Sequence, residues 1–457
     1  MIRIDVLPDD VLLEIFDFYM VLSRGRDKGG WQSLIHVCRR WRYLVFGSPR
    51  RLNLRLHCTW KTPIMNTLDI WPVLPLVVRS GDNTGISSLA DMDNIIAALG
   101  QSNRVCRVDL KLGGWLLEEV LAPMQVPFPE LTDLQLWIYG SIVTTSIIPD
   151  SFLGGSAPHL RYFKLHGIPF PGLPKLLLTA THLVSLRLCN IPDSGYISPE
   201  AMVALLSVLS SLRTLILQFQ SLQSRPDGES QNTPPLKRSI LPSLDKFHFT
   251  GGTEYLEDLV THIDTPQLHF IGMILFNQIG SPRIAQFINR TLPRTVDEAL
   301  VSFNVLSTSV MLLPGLLISI PCREPDRQLF LSVAQVCNPL EFLSTAKVLY
   351  IGSRDSQPVW NDDEIEDTLW LQLLLPYTAV KDLYLSKVFA PSIAAALKEL
   401  VGGRIIEMLP SLQNVFVEEL ESSGPFQENI GQFVAARQLS VHPIAISNWE
   451  KWMSCSP

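Results

Sequence analysis

A short hydrophobic pattern recurs along most of the chain. It consists of an apolar residue, two variable positions, a second apolar residue, one variable position and a third apolar residue. It occurs at residues 105–110, 131–136, 160–165, 183–188, 212–217, 244–249, 268–273, 300–305, 346–351, 380–385 and 412–417. Successive copies start between 23 and 46 residues apart. This spacing leaves room for one strand, one turn and one helix per unit, so the pattern predicts a repeat array.

Helix start signals lie between these copies. Ser198-Pro199-Glu200, Ser281-Pro282 and Ala390-Pro391-Ser392 each precede a helical segment, and Gly402-Gly403 should end the last one. The alternation resembles the leucine-rich repeat family in an irregular form that lacks the regular asparagine after the pattern. The resemblance implies an α/β solenoid with parallel strands inside and helices outside, each unit covering its neighbour's core. A doubly wound α/β sheet is the alternative, but it would be unusually wide and no Gly-rich phosphate loop follows any strand.

The first 50 residues have a different, helical pattern. Pro8 and the acids Asp9 and Asp10 predict that a helix begins there. Its apolar stripe comprises Leu12, Ile15, Phe16 and Tyr19, flanked by Val11 and Phe18. After a polar turn, Leu34, Val37, Cys38, Trp41, Leu44 and Val45 recur at helical spacing. Three short helices cannot bury so many large apolar groups among themselves, so part of this surface is expected to contact a partner.

This segment resembles the F-box, a helical module that docks substrate receptors on the Skp-family adaptor of cullin-RING ubiquitin ligases. Residues 4–46 hold its parts in order: Leu7-Pro8 with Leu12, then Ile15-Phe16, then Val37-Cys38-Arg39-Arg40-Trp41. The turn from Met20 to Gly30 departs from the family by its length and glycine content. The resemblance implies that the adaptor is bound by Leu7, Pro8, Leu12, Ile15, Phe16, Leu34, Val37, Cys38 and Trp41. The alternative is a helical cap that packs on the domain behind it.

These patterns predict two domains. Gly47-Ser48-Pro49 closes the helical module at residues 1–48, and the solenoid occupies residues 49–457. Residues 51–58 and 70–78 alternate as strands would and should start the array. Residues 221–239 are polar and proline-rich, which predicts a mobile loop between two repeats.

Composition narrows the classes of function and location. The chain has 457 residues, 47% hydrophobic and 18% charged, which is ample for a large core. Its net charge of -7 gives no general reason to bind nucleic acid or an anionic membrane. No apolar stretch reaches the roughly 20 residues that span a bilayer. The seven cysteines are scattered and form no C-x-x-C pair, which favours a reducing compartment, cytoplasmic or nuclear.

Sequence motifs for catalysis or cofactor binding are absent. The chain contains no G-x-S-x-G, H-E-x-x-H, G-x-x-x-x-G-K or G-x-G-x-x-G. The acidic run at 361–367 could supply oxygen ligands to a cation, but it lacks the spacing of a calcium loop and is typical of a helix start. The arginines between Cys38 and Arg55 could attract phosphate, although helix-end arginines explain them more simply. We therefore expect no enzyme activity, no metal and no cofactor.

The solenoid hypothesis also predicts a client-binding face. Strand positions between the buried pattern residues should face the concave surface, and aromatic residues and arginine there are the types that dominate protein interfaces. The candidates are Trp137, Tyr162, His166, Arg187, Phe270, Tyr350, Tyr384 and Phe416. The expected function is a non-enzymatic receptor that binds a Skp-family adaptor, and through it the cullin ligase core, and presents an unknown protein client. The alternatives are a repeat scaffold without a ligase and an enzyme hidden in an irregular α/β fold.

Overall fold

A computed structural model supplies the fold. It describes residues 7–23, 30–62, 64–81, 85–86, 92–140, 147–169, 175–221, 238–276, 282–292, 297–304, 307–313, 316–321, 337–352, 367–400, 404–420, 424–440 and 442–449. The chain forms two compact units, the first comprising Met1–Ile197 with Val208–Leu212 and the second Ser198–Ser207 with Arg213–Pro457.

The first unit contains seven helices and six strands among its described residues. The helices are α1 (Asp9–Ser23), α2 (Gly30–Ile35), α3 (Arg39–Gly47), α4 (Ile64–Ile70), α5 (Asp93–Leu99), α6 (Leu117–Leu121) and α7 (Lys175–Thr179). The strands are β1 (Leu56–Cys58), β2 (Leu76–Arg79), β3 (Val105–Gly113), β4 (Asp133–Tyr139), β5 (Tyr162–His166) and β6 (Ser185–Ile191). They form a parallel sheet in sequence order.

The second unit continues the same alternation of strands and helices. Its helices are α8 (Pro199–Val208), α9 (Thr253–His262), α10 (Pro282–Thr291), α11 (Asp367–Leu374), α12 (Ala390–Lys398), α13 (Arg404–Glu407) and α14 (Pro425–Leu439). Its strands are β7 (Thr214–Phe219), β8 (Ser239–Ile240), β9 (Lys246–Gly251), β10 (Ile263–Asp264), β11 (Phe270–Leu275), β12 (Glu298–Asn304), β13 (Ser307–Leu313), β14 (Leu316–Pro321), β15 (Val348–Gly352), β16 (Asp382–Leu385), β17 (Asn414–Glu418) and β18 (Ala445–Trp449). The sheet order is β7-β9-β11-β14-β13-β12-β15-β16-β17-β18, while β8 pairs with β10 apart from it.

The recurring hydrophobic pattern accounts for most of these strands. In β4, Leu134 and Leu136 are the second and third apolar positions and are fully buried, while Leu131, the first position, is buried just before the strand. The residues between them face the other side of the sheet, because successive side chains of a strand alternate between faces. The prediction of a mainly parallel α/β sheet with helices against its buried face is confirmed.

The predicted helix starts are also confirmed. α8 begins at Pro199, and the hydroxyl of Ser198 accepts a hydrogen bond from the Ala201 N–H at 3.2 Å, so Ser198 caps the helix. α10 begins at Pro282, and α12 carries Pro391 in its first turn. Proline is tolerated there because the first backbone N–H groups of a helix have no partner within it.

The expectation of one parallel strand per repeat is wrong in one region. β12, β13 and β14 form an antiparallel meander inside the otherwise parallel sheet. Only two residues separate β12 from β13 and β13 from β14. Such connections are too short for the crossover that parallel neighbours need, so each strand must turn back on the previous one. The pair β11–β14 and the pair β12–β15 are parallel on either side.

The start of the array also differs from expectation. The strand predicted over residues 51–58 is limited to β1, and the one predicted over 70–78 is β2, preceded by α4, which ends at Ile70. Residues 222–237 of the predicted loop lie outside the described residues. The domain boundary predicted after residue 48 stays a prediction. Over the described part of the chain, no helix has the length and apolar character needed to cross a membrane.

Candidate binding surfaces

The three N-terminal helices share a small core. Leu12 and Phe16 of α1 are fully buried and Leu13 nearly so, and the Phe16 ring lies 4.7 Å from the Trp41 ring. Leu34 of α2 is also buried. Three of the residues proposed to contact an adaptor, Leu12, Phe16 and Leu34, therefore support the module from inside.

Ion pairs hold α3 and the following segment against α1. Arg40 donates to Asp9 Oδ1 at 2.5 Å and to the Leu7 carbonyl at 2.6 Å. Arg51 pairs with Glu14 and lies 3.8 Å from Asp10. These contacts place two of the arginines between Cys38 and Arg55 in intramolecular pairs. Arg42 donates to the Ile35 carbonyl at 3.1 Å.

A second apolar stripe of α1 is exposed. Val11, Ile15 and Phe18 follow the i, i+4, i+7 spacing of one helix face and are 42%, 41% and 66% exposed. Pro8 at the start of α1 is exposed as well. The Arg40 contact with the Leu7 carbonyl brings the turn carrying Val37, 58% exposed, close to this end of α1. Cys38, also exposed, accepts the Trp41 N–H through its sulfur and so caps α3. Leu7 and Trp41 are half-buried.

An aromatic cluster joins these helices to the first strand-helix unit. Trp31 of α2 is 1% exposed, and its ring centroid lies 5.3 Å from Trp71 and 6.1 Å from Phe46. The Trp31 indole N–H donates to the Arg55 carbonyl at 3.0 Å. Neither Trp31 nor Trp71 was predicted to be important from the sequence. Trp71 lies outside the helical pattern that the N-terminal motif follows.

The outward sheet face of the first unit carries a mixed basic and aromatic cluster. The Trp137 and His166 rings are stacked at 3.9 Å, since the two residues are register partners on β4 and β5. The Lys164 ammonium lies 4.5 Å from the Trp137 ring centroid and the Lys111 ammonium 6.0 Å. Partial burial, and to a lesser extent Lys164, lower the pKa of the His166 imidazole, so it is mainly neutral at pH 7.

Further candidates flank this cluster on the same face. Arg187 is the register partner of Lys164, and its Nε donates to the Ser185 hydroxyl at 3.2 Å. Tyr162 is 42% exposed at the next outward position of β5. The structure thus brings Trp137, Tyr162, His166 and Arg187 onto one surface, as the strand pattern predicted.

The outward face of the second unit carries a separate aromatic ladder. Tyr350, Tyr384 and Phe416 are register partners on β15, β16 and β17, and their rings stack at 4.5 Å and 4.4 Å. Trp449 of β18 lies across the ladder with its ring centroid 5.3 Å from Tyr384, and its indole N–H donates to the Leu385 carbonyl. Partial burial, then Asp382 and Glu298, raise the pKa of the Tyr384 hydroxyl. The place of Trp449 in this ladder could not be predicted from the sequence, because the recurring pattern does not extend to β18.

Phe270, the remaining candidate, belongs to a tighter environment. Phe270 is half-buried at the start of β11, close to Gly272. His248 on β9 is the register partner of Gly272. A Cβ at Gly272 would lie 2.4 Å from His248 Nδ1 and 3.1 Å from Phe270 Cε1. Glycine therefore lets both rings lie over the strand at this point.

The sequence offered one candidate for a metal site, the acidic run at 361–367. In the described part of the chain, no three His, Cys, Asp or Glu side chains are placed to hold an ion. The acidic run at 361–367 lies outside the described residues apart from Asp367, the first residue of α11. Partial burial, and secondarily Glu399, raise the pKa of the Asp367 carboxyl.

Comparisons with known proteins include a distant likeness to a solved structure. No family model matches the chain, and no curated protein matches it. Among solved structures, the chain is similar to the leucine-rich repeat-containing protein LegL7 from Legionella pneumophila. The two are 12% identical over 83% of this chain and 97% of that chain, with a TM-score of 0.28. A TM-score of this size does not establish a shared fold.

Proposed function

We propose that this chain is the client receptor of an SCF-type ubiquitin ligase, with an F-box module at its N-terminus and an irregular leucine-rich-repeat-like array behind it. The observation that carries the proposal is the exposed stripe Val11, Ile15 and Phe18 on a helix whose opposite side is already buried. An exposed apolar stripe on a helix that carries acidic residues is typical of a protein interface. It lies within the segment that resembles the adaptor-binding motif.

The nine proposed adaptor contacts differ in burial, and two of them, Leu7 and Trp41, are half-buried. Leu12, Phe16 and Leu34 form the core of the module, whereas Pro8, Ile15, Val37 and Cys38 are exposed and are the ones that would contact the adaptor directly. Val11 and Phe18, which the motif treats as flanking, join this contact surface. Fully burying a side chain of this size contributes about 1.5–3 kcal/mol before the cost of association is subtracted, so a polar substitution at these positions should weaken adaptor binding.

The proposed role is to bring two proteins together. An adaptor bound at α1 and a client bound on the outward sheet faces would share one polypeptide, which raises the effective concentration of client lysines near the ligase. The chain itself would supply no reacting group and require no cofactor.

Co-expression with a Skp-family adaptor, followed by size-exclusion chromatography, tests the proposal. The wild-type chain should co-elute with the adaptor, and a version lacking residues 1–48 should not. Ile15→Asp and Phe18→Asp should abolish co-elution while leaving the thermal melt unchanged, because both side chains are exposed. Leu439→Asp is the matched control, since Leu439 is 88% exposed at the end of α14 and far along the chain from the stripe. Failure of the folded wild-type chain to bind would refute the proposal.

A repeat scaffold without a ligase is the second candidate. The contact of Trp31 with Trp71 and Phe46 favours it, because this packing is what a helical cap on the array would need. Substituting Trp31 by Ala should then unfold the start of the array, whereas Ile15→Asp should have no binding phenotype. If the wild-type chain binds the adaptor and Ile15→Asp abolishes that binding, a scaffold role alone does not describe the protein.

A further inference from the structure

The outward sheet face of the first unit has a strong local excess of positive charge. Its described outward positions on β2 to β6 carry the cations Arg79, Arg107, Lys111, Lys164 and Arg187 and the carboxylates Asp109 and Asp133. The chain as a whole has a net charge of -7. A basic face on an acidic protein therefore needs an explanation other than overall composition.

The two carboxylates do not neutralise the middle of this face. Asp109 lies between Arg107, at 3.6 Å, and Arg79, at 3.9 Å. Asp133 accepts a hydrogen bond from the Thr132 hydroxyl at 2.7 Å. Within the described residues, Lys111, Lys164 and Arg187 have no salt-bridge partner, so these three cations face solvent uncompensated.

Trp137 holds part of this charge in place. Lys164 lies over the Trp137 ring and Lys111 near it, and such cation–π contacts restrict the two long side chains. His166 stacks on the same indole. Because the cations are ordered before a ligand arrives, less side-chain entropy is lost on binding. The same contacts already occupy the indole ring, which argues against its use as a stacking platform for a nucleic-acid base.

We propose that this face, named here the Trp137 face and defined by Lys111, Trp137, Lys164, His166 and Arg187, binds an acidic, unphosphorylated peptide segment of a client. Charge complementarity selects the occupant, since carboxylate side chains would pair with cations that lack an internal partner. Neighbouring strands lie about 4.8 Å apart, so β3 to β6, which carry the Trp137 face, span roughly 14 Å, which about four to five residues of extended peptide cover. The inference rests on the proposed function in that it names the chemistry of the client.

Fluorescence anisotropy on the purified full chain, without adaptor, tests this inference. The probe is a fluorescein-labelled peptide of about eight residues that alternates glutamate and alanine, which at roughly 3.3 Å per extended residue covers the face and extends beyond it at both ends. We expect binding that weakens as salt is raised, and no binding of the counterpart with lysine in place of glutamate. The double variant Lys111→Glu/Lys164→Glu should weaken binding at least about tenfold, because it replaces attraction by repulsion at both positions.

Matched variants separate this site from general electrostatics. Lys381→Glu reverses the charge of an exposed lysine before β16 and should leave peptide affinity unchanged. Trp137→Ala should weaken binding and Trp137→Phe should restore most of it, since the phenylalanine ring can still order Lys164. Equal losses in Lys381→Glu and in Lys111→Glu/Lys164→Glu would overturn the proposal. So would tighter binding of a phosphoserine peptide or a single-stranded oligonucleotide, which would indicate phosphate recognition instead.

The outcomes for the two proposals are distinguishable. Peptide binding is measured without an adaptor, and adaptor co-elution is measured without a peptide. Loss of adaptor binding with retained peptide binding would refute the ligase role alone. Retained adaptor binding without any affinity for the acidic peptide would refute the inference about the Trp137 face alone.

Discussion

Arg437 is a buried cation whose removal should destabilise the C-terminal part of the second unit. Its side chain, fully buried on α14, donates to the carbonyls of Ile405, Leu409, Pro410 and Leu412 at 3.2–3.3 Å. These carbonyls belong to α13 and to the turn that leads into β17. Burial lowers the pKa of the guanidinium, but arginine stays protonated at any pH at which the protein folds.

The magnitude follows from the acceptors that would be stranded. The Leu409 carbonyl also accepts the Leu412 N–H at 3.0 Å, so it keeps a partner without Arg437. The carbonyls of Ile405 and Leu412 are buried and would be stranded without Arg437, whereas that of Pro410 is only partly buried and can be hydrated instead. At these long donor–acceptor distances each stranded group costs about 1 kcal/mol, the low end of the range for a buried acceptor. Arg437→Met should therefore lower the local free energy of unfolding by about 2 kcal/mol.

Hydrogen exchange with mass spectrometry on peptides spanning residues 404–440 measures this effect locally. A loss of about 2 kcal/mol should speed exchange there roughly thirtyfold, because every 1.4 kcal/mol is a factor of ten. Arg404→Met is the matched control, since Arg404 is exposed at the start of α13 and its loss should cost under about 0.5 kcal/mol. If the two variants exchange alike, the carbonyl contacts do not stabilise this segment and the reasoning is refuted.

Two further predictions concern a glycine and the cysteines. Gly154→Ala should destabilise the first unit by about 2–4 kcal/mol in chemical denaturation, since Gly154 has a φ of +66° and a Cβ there would lie 2.7 Å from Pro127 Cγ. Gly431→Ala in α14, where a Cβ meets nothing within 4 Å, should instead stabilise by about 0.5–1 kcal/mol, and a similar loss in both variants would contradict the steric argument. Burial raises the pKa of the Cys58 thiol to about 11 and that of Cys337 to about 12, so among the described cysteines exposed Cys38 should react first with iodoacetamide. The unfolded thiols ionise near pH 9.0, whereas the folded ones ionise only at higher pH. The free energy of unfolding should therefore fall as pH rises above about 9. A flat profile from about pH 9 to 11 would count against the burial of these thiols.

The strands of this protein were predictable because their signal is local. In the copies at 131–136, 160–165 and 212–217, the apolar residues at positions four and six lie on the buried face of a strand, and the first apolar residue is buried just before that strand. Leu131, Leu134 and Leu136 show this arrangement directly. Serine and proline at helix starts are also local signals, because they favour a helix start through hydrogen bonds and backbone angles within one turn.

The buried side of α1 was not predictable from periodicity. Sequence analysis placed Leu12, Ile15, Phe16 and Tyr19 on one stripe, but the structure buries Leu13 with Leu12 and Phe16 and leaves Ile15 41% exposed. Because α1 has apolar residues on two sides, helical spacing alone allows either side to be the buried one. Only the contacts with α2 and α3 decide which side is covered.

The sequence by itself determined the positions of most parallel strands, the starts of α8, α10 and α12, and that the N-terminus is helical. Tertiary structure alone decided the antiparallel meander of β12 to β14, the stacking of Trp137 on His166, and the burial of Arg437 among four carbonyls. The physical reason is the range of the interactions. Turns, caps and side-chain alternation depend on neighbours within a few residues, whereas strand register and burial depend on which distant segments pair, and that is settled by the free energy of the whole fold.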